Sequence, residues 1–113
     1  MRSGMIGLAL AIWLTPAVGF AQSQTHRSEM IVTFSIKDYD AWRPVFDGAA
    51  PARAKAGVGK AQIFRNTDAA NDLLVVFDVA SKTSGRAWMS SSQVRADWQK
   101  GGVIGTPSYR FAQ

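Results

Sequence analysis

Residues 30–36, MIVTFSI, set Met30, Val32, Phe34 and Ile36 on one face at a period of two. Ile31 and Thr33 share the other face, so the segment reads as a strand with no side built for water. The rhythm then changes to helical spacing, with Trp42, Val45, Phe46, Ala49 and Arg53 recurring along one stripe. Asp40 is placed to cap this helix by accepting backbone N–H groups that have no intrahelical partner. Asp38 and Asp40 together complement the positive end of its dipole. Pro44 falls near the first turn, where a missing N–H costs least. Gly48 and Pro51 do not suit one straight helix, because an internal proline removes a hydrogen bond and crowds the carbonyl four residues back. A kink or short break is therefore expected near residues 49–51, and Gly57 is expected to close the helix.

A second strand is predicted over Lys60–Asn66, with Ala61, Ile63 and Arg65 on one face and Gln62 and Phe64 on the other. TDAAND, residues 67–72, is a run of turn formers that makes a hairpin with LLVVFDV, residues 73–79. In that third strand Leu73, Val75, Phe77 and Val79 oppose Leu74, Val76 and Asp78, an apolar character on both faces that belongs in the middle of a covered sheet. Residues 81–100 carry a second, weaker helical region. Gly85 and the run Ser90, Ser91, Ser92 lower its propensity, while Trp88, Met89, Val94 and Trp98 supply the buried stripe. Ser92 is placed to cap a second short helix that ends at Gly101 and Gly102. Pro107 leads into a last strand, Ser108–Ala112, with Tyr109 and Phe111 on one face.

The order is β-α-β-β-α-β, a split unit that predicts an α+β, ferredoxin-like sandwich: a four-stranded antiparallel sheet with helices on one face. Helices on one face leave the apolar residues Ile31, Leu74 and Val76 of the other uncovered. They are either singly exposed apolar side chains, which are common, or the seat of a second copy in a closed homodimer. Such obligate interfaces commonly bury upwards of about 2,000 Å².

The first residues change the picture of where this domain works. Arg2 is followed by an uncharged apolar run over residues 5–18, then Gly19, Phe20 and Ala21 before the polar QSQTHRSE. This reads as a secretory signal peptide, residues 1–21, cleaved after Ala21, which predicts a periplasmic or secreted protein. A retained anchor is the alternative, but the apolar run is shorter than the roughly 20 residues that span a bilayer. Residues 22–28 read as a flexible leader and 29–113 as one small domain. The chain contains no cysteine, so an exported domain of this size depends on packing, and oligomerisation is the natural supplement. A formal charge of +5 is spread along the chain without a basic run, which argues against nucleic acid as a partner.

Chemistry is poorly signposted. His26, the one histidine, lies in the leader, and Asp38, Asp40 and Asp47 read as cap, dipole partner and solvated face, so no metal site is expected. No phosphate-cradling glycine loop follows a strand, no nucleophile elbow occurs, and nothing predicts a flavin or nicotinamide site, so no cofactor is expected.

Asp38, Tyr39 and Trp42 opening the first helix, then Phe46, Asp47, Ala50, Pro51 and Arg53, then Ala56, Gly57 and Val58 carry a resemblance. With Gly102, Val103, Gly105 and Pro107 before the last strand, residues 29–112 resemble the antibiotic-biosynthesis-monooxygenase-like group of the dimeric α+β barrel superfamily, including small bacterial members labelled cyclases. Members often carry a histidine just before the Ala-Pro-x-Arg segment, where this chain has Ala49. The resemblance implies a dimeric α+β barrel and a cofactor-independent monooxygenase, cyclase or isomerase acting on a small apolar or aromatic molecule. In such enzymes a substrate carbanion reacts with dioxygen in a dry pocket between helices and sheet. Trp42, Phe46, Phe64, Trp88, Trp98 and Tyr109 are the aromatic residues that would line it, each of which reads first as ordinary core, with Arg53, Arg65 or Asp78 as polar contacts. Arg53 and Asp78 are the catalytic candidates. Arg53 also reads as a salt bridge supporting the kink, with Asp47 or Asp78, and Asp78 as a carboxylate on the inner face of an apolar strand end. A non-enzymatic periplasmic ligand-binding or stress-related dimer is the competing reading.

Overall fold

A computed structural model describes residues 28–112; residues 1–21, read above as a signal peptide, His26 and almost all of the expected leader lie outside the described residues. The elements run β1 (Ser28–Ile36), α1 (Tyr39–Gly48), α2 (Ala50–Lys55), β2 (Val58–Arg65), β3 (Asp72–Val79), α3 (Lys82–Met89), α4 (Ser92–Gly101) and β4 (Val103–Ala112). The strands form one antiparallel sheet in the order β2-β3-β1-β4. The two strands that are apolar on both faces, β1 and β3, are its centre. This is the ferredoxin-like β-α-β-β-α-β arrangement, with each helical connection delivered as two short helices.

The first helix begins two residues earlier than expected. Asp38 is the cap, its Oδ2 accepting from Ala41 N–H at 2.9 Å, and Asp40 sits inside the first turn. Asp38 wins because its backbone is extended (φ −153°, ψ 123°), which turns its carboxylate back over the exposed N–H groups. The break expected near 49–51 is present. α1 stops at Gly48, and α2 restarts at Ala50 with Pro51 in its first turn, where the ring is tolerated. Gly57 follows with φ 85°, a left-handed conformation that ends the helical region.

Further boundaries differ from the sequence reading, beginning with Ser28, read above as the end of the leader but buried in β1 and paired with Val79. β2 starts at Val58, which pairs with Val79, rather than at Lys60. The cap of α4 is Ser91, whose Oγ accepts from Val94 N–H at 3.2 Å while donating to Trp88 O at 2.7 Å; one hydroxyl thus joins the end of α3 to the start of α4. β4 starts at Val103, not Ser108, and includes Pro107. A proline is tolerated there because β4 is an edge strand whose register against β1 shifts between Thr33 and Ser35, with Gly105 at φ 71° on the β4 side.

All the helices cover one face. Met30, Val32, Ile36, Leu73, Val75, Phe77 and Val79 point from the sheet into a core closed by Trp42, Trp88, Met89 and Val94. The opposite face is open among the described residues: Phe64 is 52 %, Ile104 51 % and Leu74 37 % exposed. Register places Phe64 opposite Leu74 and Val76 opposite both Ile31 and Gln62, so these residues form a continuous band across the strands.

Candidate functional site

The largest aromatic cluster is built on α1. Trp42 stacks on Phe46 with ring centroids 4.7 Å apart, and touches Phe34 at 5.7 Å and Tyr39 at 5.6 Å. Phe46 continues the chain of rings to Phe77 at 6.0 Å, and Phe77 meets Trp88 edge-on at 5.5 Å. Helical spacing places Trp42 and Phe46 one turn apart on a single face, and period two puts Phe34 and Phe77 on the facing side of the sheet. Between helix and sheet lies a cleft of about 430 Å³, counting space open to solvent, walled by Phe34, Trp42, Phe46, Phe77 and Trp88 together with Val94, Trp98, Ala49, Arg53 and Asp97, while Tyr39 stays outside it. Its enclosed part is tight, with room for roughly one or two waters.

Arg53 supplies the positive charge of that wall. Lying on the same stripe as Trp42 and Phe46, its side chain points inward and is only 5 % exposed. Its Nη1 donates to the Phe46 carbonyl at 2.8 Å, and its guanidinium carbon lies 3.9 Å over the Phe46 ring. Its Nε–H has no partner among the described residues. Burial pulls the guanidinium below its ordinary pKa, against the opposing pull of the Asp47 and Asp97 charges. The expected Arg53 salt bridge does not form. Asp47 is taken by Arg43 at 3.0 Å along the same helix, and Asp78 is on the other side of the sheet.

The sequence-derived candidates therefore divide. Trp42, Phe46, Trp88, Trp98 and Arg53 are brought together in the cleft. Phe64 is not: it pairs with Leu74 on the helix-free face. Tyr109 pairs with Val32 and so shares the helix-side face, but on edge strand β4, where it is exposed and packs edge-on against Phe111 at 5.8 Å. Arg65 is exposed, resting over the Tyr39 ring at 4.0 Å and donating to Ala70 O at 2.8 Å. Asp78 is not on the inner face. It lies opposite Glu29 on the helix-free side, beside Lys60 and Gln62, because strand alternation carries it with Leu74 and Val76.

Phe34, Phe77, Met89 and Asp97 line the cleft without having been singled out as lining residues. The strand phenylalanines were visible only as core positions. Asp97 was detectable from spacing, since it follows Val94 by three residues on α4 and so shares its face; it accepts from Gln93 Nε2 at 3.1 Å. Among the described residues no group of three or more His, Asp or Glu side chains is placed to hold a metal ion.

No family model matches the chain, and no curated protein does. Solved structures do. An antibiotic biosynthesis monooxygenase-like protein from Bordetella bronchiseptica superposes with a TM-score of 0.65 at 13 % identity, over 77 % of this chain and 95 % of that one. SnoaB, a cofactor-independent oxygenase from Streptomyces nogalater, gives 0.60 at 11 % identity, over 77 % and 91 %. The ActVA-Orf6 monooxygenase of Streptomyces coelicolor, in complex with nanaomycin D, gives 0.52 at 15 % identity, over 77 % and 86 %. At such identities the likeness is one of backbone: the chain has the ferredoxin-like α+β fold of these antibiotic biosynthesis monooxygenase-like proteins.

Proposed function

We propose that this chain is an exported protein that pairs through its open sheet face, binds a small aromatic molecule in the cleft between α1, α4 and the sheet, and promotes its cofactor-independent oxygenation. The carrying observation is the cleft wall, where Trp42, Phe46, Phe77, Trp88 and Trp98 surround one buried cation, Arg53, and one half-buried carboxylate, Asp97. Rings of this kind favour a flat apolar ligand, and the opposed charges favour one that ionises. The fold shared with SnoaB and with a monooxygenase holding nanaomycin D supports the same reading.

In this mechanism Asp97 takes a proton from the ligand and Arg53 favours the resulting anion in surroundings poor in water. The electron-rich ligand then reduces dioxygen itself. One oxygen atom enters the product, and the other leaves as water with the hydrogens the ligand gives up. The cleft has no room for a ring as it stands, so entry requires half-buried wall residues such as Trp98 or Phe46 to swing aside. Export is supported by the short apolar run ending at Ala21. Pairing is supported by the band of Ile31, Phe64, Leu74, Val76 and Ile104, which a second copy would cover.

Binding without turnover is the second reading, and Ala49 favours it. This residue lines the cleft at the position where the family to which the sequence is similar often has a histidine, leaving Asp97 as the one carboxylate in the wall. Dioxygen uptake by purified protein with a panel of hydroxylated aromatic compounds, and no added cofactor, separates the two. Uptake that falls in Asp97→Asn supports the enzyme; retained binding of the compounds without uptake supports the binder.

A further inference from the structure

Arg53 is the one charged side chain among the described residues that is buried, and its hydrogen bonding is incomplete. Its structural duties account for part of the group. Nη1 holds the Phe46 carbonyl near the C-terminal end of α1, where a cation meets the negative end of the helix dipole, and the guanidinium plane covers the Phe46 ring. Nε–H is left over, buried, with nothing to accept it among the described residues. Among the described residues no carboxylate neutralises the charge at contact distance: the neighbouring Asp47 is paired with Arg43, and Asp97 across the cleft accepts from Gln93. A buried cation with a free donor on the wall of an aromatic cleft is a site prepared for a negatively charged oxygen.

We propose that the cleft selects a planar aromatic anion, in the simplest case an aromatic carboxylate. Its charged oxygen accepts from Arg53 Nε–H, and its rings lie among Trp42, Phe46, Trp88 and Trp98. This rests on the cleft reading above and adds to it the charge of the ligand before any chemistry. Arg53 then already acts in the bound ground state, before the proton transfer in which its charge favours the resulting anion. The negative Asp97 repels a second anion, so the favoured ligand carries one charge near Arg53 and a neutral, proton-donating edge toward Asp97.

The test is isothermal titration of the full exported chain with naphthalene carboxylate and with the matching neutral amide, repeated on Arg53→Met. Methionine keeps the unbranched stem on the Phe46 ring and removes the charge. Wild type should bind the carboxylate at least about tenfold more tightly than the amide, the scale of a hydrogen bond to a charged group. Arg53→Met should lose that preference through weakened binding of the carboxylate. If Arg53→Met does not fold, Arg53→Gln takes its place with the same expected loss. Equal binding of the two compounds by wild type, or a preference that survives in the variant, overturns the anion assignment and leaves the aromatic cleft standing. Failure of wild type to bind either compound overturns both.

Discussion

Arg53 and Phe46 are joined twice: the guanidinium covers the phenyl ring at 3.9 Å while its Nη1 holds the backbone carbonyl of the same residue at 2.8 Å. The pairing spans the join between α1 and α2 at Ala49. Residue 53 follows residue 46 by two helical turns on the same stripe, and its long side chain reaches back to the last carbonyls of α1.

That arrangement predicts a small stability effect for Arg53→Met. The variant loses one hydrogen bond and a ring contact, but also an uncompensated buried charge, and exchanges of this kind are often neutral. Thermal or urea unfolding should place Arg53→Met within about 1 kcal/mol of wild type. A loss above about 3 kcal/mol, the scale of breaking a buried pair, would show that the charge is a structural keystone.

Trp42 should behave differently. It is 3 % exposed and touches Phe34, Tyr39 and Phe46. Trp42→Ala should cost about 3–5 kcal/mol in urea unfolding, because the cavity it leaves lies between helix and sheet where neither can collapse. Lost activity in that variant would not distinguish ligand contact from folding.

The open sheet face gives an oligomeric prediction. Leu74 lies at the centre of the band formed with Phe64 and Ile31. Wild type should sediment as a dimer, and Leu74→Arg, which places a charge in the interface, should sediment as a monomer with its fold intact by circular dichroism. A monomeric wild type would refute pairing through this face.

Asp78 and Asp97 should separate cleanly. Asp97 lines the cleft and Asp78 faces away from it. Asp97→Asn should weaken turnover or alter ligand binding, while Asp78→Asn should leave both as in wild type and change stability by less than about 1 kcal/mol. Equal loss in the two variants, measured by dioxygen uptake and titration, would mean that the chemistry is not confined to this cleft.

The architecture could be read from sequence because its determinants are local and periodic. The doubly apolar strand at Leu73–Val79 announced a central position, and Pro51 announced the helix break. Cap positions slipped by one or two residues because Asp38 and Asp40, or Ser91 and Ser92, are chemically equivalent until backbone angles select one. The site was read less well for a physical reason. Helical and strand periods assign a residue to a face but say nothing of which face the helices cover, so Phe64 and Asp78 looked as eligible as Phe46 and Arg53. Nor did spacing reveal that Arg53 would be buried without an ion pair, since that depends on Asp47 being taken by Arg43.

In the proposed mechanism the ligand itself reduces dioxygen in this cleft. The most direct measurement is mass spectrometry of the product formed under isotopically heavy dioxygen by purified protein supplied with a hydroxylated aromatic compound and no cofactor. The mechanism predicts one heavy oxygen atom in the product, the other in water, and loss of the labelled product in Asp97→Asn. Bound but chemically unchanged compound would contradict it, and would leave a protein that captures aromatic molecules without transforming them.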